Sequence, residues 1–351
     1  MINLVKGNLL KSQAQALVNT VNTMGVMGKG IALQFKNAFP DNNSAYVAAC
    51  EKGLVVPGKV FTFVHAGLAG GKTIFNFPTK RHWKDNSRID DIVAGLNDLV
   101  DQIEQRGIKT VAVPPLGCGF GGLSWKTVLP LIEEALGPLQ DVVAEVYEPA
   151  GSPAAEDMVH NEKRPGMTPG RAAVLLAMHQ YLATGWEYRL SLLEVQKLAY
   201  FLQEFGLKLN MRFKPAIYGP YADEMRHVMN RMEGHFTVGF ADGRNSPDTP
   251  IQVMPDAVTE AEAFEEKHLE LREYINRVSK FIENFETPFG MELLSSVHWL
   301  AVHGRNGVVA NDNVQATQML KVWNHRKART FNADHVALAW DRLAENGLLH
   351  H

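Results

Sequence analysis

Two glycine-bearing loops are the parts of this sequence best suited to holding a phosphate. The first runs from Leu17 to Gly30, closes on Gly25-Val26-Met27-Gly28-Lys29-Gly30, and leads straight into a helical pattern that starts at Ile31. The second, Pro114-Pro115-Leu116-Gly117-Cys118-Gly119-Phe120-Gly121-Gly122, follows a β-branched run and opens another helical pattern at Ser124. Glycine lets backbone approach an anion closely, and a helix start offers free N–H groups and a positive dipole end. Two such loops suggest a diphosphate clasped from both sides. Neither has Walker spacing, and neither places G-x-G-x-x-G after the first strand, which argues against a P-loop NTPase and a Rossmann site.

Three further features carry reactive side chains. Lys80 follows a short apolar run, where an amine is normally a solvated charge but becomes a nucleophile if desolvated. Cys118 lies between glycines, where a small residue that lets backbone wrap a phosphate is the simpler reading than a catalytic thiol. Thr79, Arg81, His82, Trp83, Lys84 and Arg88 form a basic, aromatic stretch beside Lys80. That stretch is either a solvated loop or a surface for single-stranded nucleic acid, with phosphates on Arg and Lys and a base stacked on Trp83. The only other cysteine is Cys50, so no disulfide framework or zinc site is implied, and no cofactor is called for.

These residues need a scaffold, and the first half of the chain has the grammar of one. Strand patterns fall at residues 2–6, 16–21, 59–64, 73–77, 110–113 and 142–147, and helical patterns at 31–39, 43–52, 88–105 and 124–136. Strands alternating with helices predict an α/β domain whose parallel or mixed sheet lies under helices, over residues 1–150. Residues 151–168 sit in a stretch rich in Pro, Gly and charge with no hydrophobic period, which reads as a linker. Residues 169–351 are mostly α-helical, with patterns at 171–183, 222–232, 259–285, 288–303, 314–327 and 333–345. Another helix opens on the capping box Ser191-Leu192-Leu193-Glu194.

A chain of 351 residues accommodates these two domains, and its 46% hydrophobic content supplies two cores. The net charge of −3 divides unevenly, because residues 1–150 hold 14 Lys and Arg against 13 Asp and Glu, while the remainder holds 21 against 25. No apolar run reaches membrane-spanning length and the N-terminus lacks a secretion signal layout, so a cytoplasmic protein with no membrane partner is expected.

Taken together, Lys6-Gly7-Asn8-Leu9, the Val18–Thr23 run Val-Asn-Thr-Val-Asn-Thr, Gly25 to Leu33, and Pro115 to Trp125 resemble a macrodomain, the ADP-ribose-binding α/β/α module. The resemblance covers about residues 1–148. It implies that Asn8, Leu9, Asn19, Thr20, Gly25, Gly28, Lys29, Gly30, Ile31, Pro115, Leu116, Gly117, Cys118, Gly119, Phe120 and Gly121 surround ADP-ribose. Asn22 would orient the distal ribose or the attacking water. Asn8 stands where many macrodomains carry an aspartate that reads the adenine amino group, and an amide can accept the same hydrogen bond. Phe77-Pro78-Thr79-Lys80-Arg81-His82-Trp83 is similar to the branch that hydrolyses ADP-ribose adducts through a lysine, here Lys80, with Lys29 and Lys84 as cations to lower its pKa.

The eukaryotic lysine-dependent members carry an aspartate in the second glycine loop, where this chain reads Gly119-Phe120-Gly121-Gly122. Two schemes therefore stand. In one, Lys80 attacks the sugar; in the other, it stabilises charge while water attacks. In the second half, Glu194 to Leu202 and Phe213 to Tyr221 resemble the Panacea/SocA-type helical domain of antitoxins. The whole chain resembles the DarG family, DNA ADP-ribosyl glycohydrolase antitoxins that oppose DarT toxins. The resemblance implies ADP-ribosylated single-stranded DNA as substrate, thymine as the adducted base, DNA contact through Thr79, Arg81, His82, Trp83 and Lys84, and toxin binding through the C-terminal domain. A protein-directed ADP-ribosyl hydrolase and a non-enzymatic ADP-ribose reader are the competing readings.

Overall fold

The computed structural model describes residues 1–66, 71–149, 157–183, 190–240 and 249–349. The chain divides into two compact units, the first built on residues 1–163 and the second on residues from 164 onward. In the first unit the strands are β1 (Ile2–Val5), β2 (Ala16–Asn22), β3 (Phe61–His65), β4 (Lys72–Lys80), β5 (Thr110–Val113) and β6 (Val143–Tyr147). Its helices are α1 (Gly30–Ala38), α2 (Pro40–Glu51), α3 (Ile89–Gln105) and α4 (Trp125–Leu136), with a single 3₁₀ turn at Leu9–Lys11.

The strands form one mixed sheet in the order β1-β6-β5-β2-β4-β3, in which only β3 runs antiparallel to its neighbour. Side chains alternate across the pleat. Val18, Phe75, Phe77, Val111, Val113 and Val146 face a core shared with Ile92, Leu96, Leu99 and Ile103 of α3 and Val128 and Ile132 of α4. Leu17, Ile74, Ala112 and Tyr147 face the other way, onto Leu9 and Phe35 of the α1 side. Tyr46 and Ala49 of α2 extend that second layer with Val21 and Met27. The result is a three-layer α/β/α sandwich. Gly95 lets α3 lie directly on the sheet, since a Cβ there would meet the ring of Phe77 at 2.3 Å.

The second unit is mainly helical, with α5 (Pro169–Ala183), α6 (Leu192–Glu204), α7 (Asp223–Met232), α8 (Pro255–Glu265), α9 (Glu270–Ile282), α10 (Pro288–Val302), α11 (Asn313–Trp323), α12 (His325–Thr330) and α13 (Ala333–Glu345). A small hairpin, β7 (Lys214–Ala216) with β8 (Gly219–Tyr221), and an antiparallel pair, β9 (Thr237–Val238) with β10 (Gln252–Val253), interrupt them. The Ser191 capping box forms as the sequence suggests. Two expected long helices are broken. The 259–285 pattern becomes α8 and α9, because both halves pack on α5; a straight 27-residue helix would run to about 40 Å, nearly twice the length of a 15-residue partner. The 314–327 pattern stops at Asn324, whose extended backbone and side chain cap α12.

Helices α6, α10 and α12 bury an ionic cluster. The Glu292 carboxylate accepts from Lys327 Nζ at 2.7 Å and from Arg326 at 2.5 and 2.6 Å, and Lys197 Nζ donates to the Pro220 carbonyl at 2.6 Å. Burial first, then the charge of Lys327, lowers the Lys197 pKa to about 7. Burial likewise brings Lys327 down to about 8, with Glu292 opposing the shift.

Candidate active site

Strands β5, β2 and β4 are adjacent and parallel, so their C-terminal ends lie side by side on one edge of the sheet. That edge is where open α/β sheets bind ligands. The first glycine loop leaves β2 there, the second leaves β5, and Lys80 is the last residue of β4. Lys80 therefore belongs to the strand itself, three residues beyond the expected end at 77. An irregularity between Val21 and Asn22 shifts the register so that Asn22 pairs directly with Lys80. Bulges of this kind re-aim side chains near functional sites. Without the shift the two residues would not stand opposite each other.

Asn22 is buried and holds the first loop together. Its Oδ1 accepts from Met24 N at 2.8 Å and Val26 N at 3.4 Å, and its Nδ2 donates to Val26 O at 2.6 Å. From below, Tyr46 Oη donates to Asn22 O at 2.6 Å. Beyond the loop, α1 begins at Gly30, and the Lys29 side chain does not cap it. Its first N–H groups and dipole remain aimed at the loop, as an anion requires.

The second loop is wrapped around Ser87, a residue that sequence reasoning missed. Ser87 N donates to Gly121 O at 2.9 Å, and Leu123 N closes the turn onto Gly117 O at 3.0 Å. A Cβ on Gly121 would lie 2.2 Å from Ser87 Oγ and 2.3 Å from Gly117 O. Only glycine fits. Ser87 lies inside the basic stretch, just before Arg88, and only its proximity in space to Gly121 reveals the role.

Lys80 Nζ donates to the Phe120 carbonyl, joining β4 to the second loop. Desolvation lowers its pKa, and the charge of Asp85 opposes that effect. The expected helper cations are engaged with rings instead: Lys29 Nζ lies 5.8 Å from the Phe120 centroid and Lys84 Nζ 4.8 Å from that of Trp83. Burial pushes the Cys118 thiol up to about 11, which removes thiolate at neutral pH and leaves the small-residue reading.

The side chains of several other expected contact residues are buried or bonded within the fold. The Asn19 side chain is wholly buried and donates to Asn76 Oδ1 at 2.9 Å, within a triad that includes Asn42. Leu116 is wholly buried in the core, while Pro115, Thr20 and Ile31 are half-buried. Thr79 is buried and its hydroxyl lies 3.4 Å from Val21 O, which takes it out of an outward DNA surface. Arg81 forms a two-pronged pair with Asp91 at 3.0 and 3.3 Å, so its charge is already matched. What the basic stretch does present is Trp83, 50% exposed, with His82 at 5.4 Å on one side and the Lys84 amine over the ring. Met24, Val26 and Phe120 are likewise exposed on the two loops, beside exposed Gly28 and Gly119. Asn8 caps the 3₁₀ turn that carries buried Leu9.

A three-layer α/β/α sheet with two glycine loops and a helix N-terminus at its C-terminal edge defines a macrodomain, and the Macro domain family model matches residues 18–132. The similarity extends well beyond that module. A DNA ADP-ribosyl glycohydrolase of Thermus aquaticus is 45% identical over 99% of this chain and 94% of its own length. A DNA ADP-ribosyl transferase–DNA ADP-ribosyl glycohydrolase fusion protein of Thermosipho africanus is 39% identical over 42% of each chain. Among solved structures, the macrodomain of Thermus aquaticus DarG is 54% identical, covers 42% of this chain and 99% of its own, and superposes with a TM-score of 0.41. The chain belongs to the DNA ADP-ribosyl glycohydrolase family.

Proposed function

We propose that this protein hydrolyses the N-glycosidic bond between ADP-ribose and a DNA base, thymine in single-stranded DNA, and that residues 169–351 bind and neutralise a cognate DNA ADP-ribosyltransferase toxin. The placement of Asn22 opposite Lys80 between the two glycine loops carries the enzymatic reading. The diphosphate rests against loop N–H groups and the start of α1, which puts the distal ribose at the Asn22–Lys80 pair. Lys80 must leave the Phe120 carbonyl to meet the sugar, and its lowered pKa suits that task. The second loop supplies no carboxylate. The acid whose charge reaches Lys80 is Asp85, from the β4–α3 connection. Trp83 and its flanking ring and amine give an extruded strand a stacking platform with a cation beside it.

The test uses ADP-ribosylated single-stranded oligonucleotide and, separately, ADP-ribosylated protein. Release from DNA by the native protein, lost in Lys80→Ala, is expected. Release from protein alone would assign a protein-directed hydrolase, and ADP-ribose binding without release from either would assign a reader. For the second half, Lys80→Ala should still co-purify with the toxin and protect cells that express it. Loss of both would remove direct neutralisation.

A further inference from the structure

Part of the segment that the sequence marks as a linker is bound back onto the first unit. The Asp157 main-chain carbonyl accepts a hydrogen bond from Asn8 Nδ2 at 3.0 Å, and the Asp157 carboxylate pairs with Lys11. Four residues later, Asn161 closes the end of α1: its N–H donates to Asn37 O and its Nδ2 to Ala38 O, both at 2.8 Å. Met158, between these anchors, is buried. The other end of the Asn8 amide is also assigned, because its Oδ1 accepts from Leu10 N at 3.0 Å. Each end of the amide thus has a partner of the correct sense, and turning it over would set Nδ2 against an N–H and Oδ1 against a carbonyl.

This accounts for an amide at position 8 where a carboxylate is the common macrodomain choice. A carboxylate could accept from Leu10 N, but it has no proton for the Asp157 carbonyl. It would also place a second anion beside the Asp157 carboxylate. We propose that residues 157–161 are part of the adenine end of the ADP-ribose site, and that Asp157, acting through Asn8, is a positioning residue for base specificity. The locked amide offers the second lone pair of Oδ1 to the 6-amino group of adenine and cannot turn round to donate to a 6-oxo base. The inference rests on the reading of Asn8 as the adenine-contacting residue.

The experiment measures by calorimetry the Kd of the full chain for ADP-ribose and for its hypoxanthine analogue, inosine diphosphate ribose. The proteins compared are the native chain, Lys11→Ala/Asn161→Ala, which loosens the segment by removing the Lys11–Asp157 pair and the Asn161 Nδ2 bond to Ala38 O, and Asn8→Asp in each background. One mispaired hydrogen bond predicts that the native chain prefers ADP-ribose by about tenfold or more. Loosening the segment should lower that preference by about threefold or more, because the amide is then held chiefly by Leu10 N and turns over at a smaller cost. Asn8→Asp should weaken ADP-ribose binding by about fivefold or more in the native background and by less once the segment is loosened. A merely structural role would move both ligands together and leave their ratio unchanged. An unchanged ratio in Lys11→Ala/Asn161→Ala, or an equal Asn8→Asp effect in both backgrounds, overturns the proposal. Native protein that binds ADP-ribose without discriminating between the bases also overturns it, whereas native protein that binds neither ligand refutes the ADP-ribose site itself.

Discussion

Replacing Gly121 with alanine tests whether the second glycine loop takes its shape from Ser87 and from its own Gly117 carbonyl. The new Cβ would lie 2.2 Å from Ser87 Oγ and 2.3 Å from Gly117 O. Comfortable contact begins at about 3.5 Å, so one side must give by about 1 Å. The serine hydroxyl can rotate away, but the Gly117 carbonyl is held by Leu123 N at 3.0 Å. The loop must therefore open, which strains the Ser87 N–Gly121 O bond and draws the Phe120 carbonyl away from Lys80. Overpacking of this kind costs about 1–3 kcal/mol, less than the whole stability of a domain, so the variant should fold. An ångström of misplacement at reacting groups costs about 10²-fold in rate. Single-turnover release of ADP-ribose from a modified oligonucleotide should fall by that order, with a melting temperature only a few degrees lower. Adding Ser87→Gly removes one obstruction and leaves the other, so the double variant should stay impaired. Native rate and affinity in Gly121→Ala, or full recovery in the double variant, would refute the argument.

Three further outcomes follow from the charges. If Lys80 attacks as a free amine, kcat/KM rises with pH through its lowered pKa, and Asp85→Asn shifts that rise to lower pH by removing the opposing charge; if it acts as an ammonium, activity falls over the same range and Lys80→Arg keeps a residue of it. Glu292→Gln leaves Lys327 without its carboxylate in a buried setting, and chemical denaturation should show a loss of about 3–5 kcal/mol in the second unit. Lys197 titrates near 7 when folded, against about 10.4 in an unfolded chain. The full cost of burying its charge is thus present below pH 7 and relieved as pH rises from there towards 10, so stability should increase over that window and the slope should shrink in Lys197→Met.

The helices and strands of the first unit were largely legible because short apolar runs such as residues 73–77 and period-3.6 runs such as 88–105 report burial directly. The broken helices of the second unit were not. Residues 266–269 contain no glycine or proline to end a helix, and the bend there follows from both halves packing on the short α5. The β7–β8 hairpin was equally hidden, since Lys214-Pro215-Ala216 has no strand pattern and depends on Trp323 Nε1, which donates to Ala216 O at 3.1 Å.

For the site, the sequence alone determined which residue types are available: two glycine loops, a lysine after an apolar strand and an asparagine ending another. Such features are local, and local backbone chemistry sets them. Tertiary structure decided which of them meet. The register shift that sets Asn22 against Lys80 lies between strands separated by more than fifty residues, and no local pattern encodes it. Ser87 beneath Gly121, and Asp157 on Asn8, are likewise encounters between distant segments. The same is true of the residues whose side chains are taken by partners within the protein. Arg81 is spent on Asp91, Asn19 on Asn76 and Thr79 on the strand beside it, because a buried or paired polar group must satisfy its neighbours before any ligand.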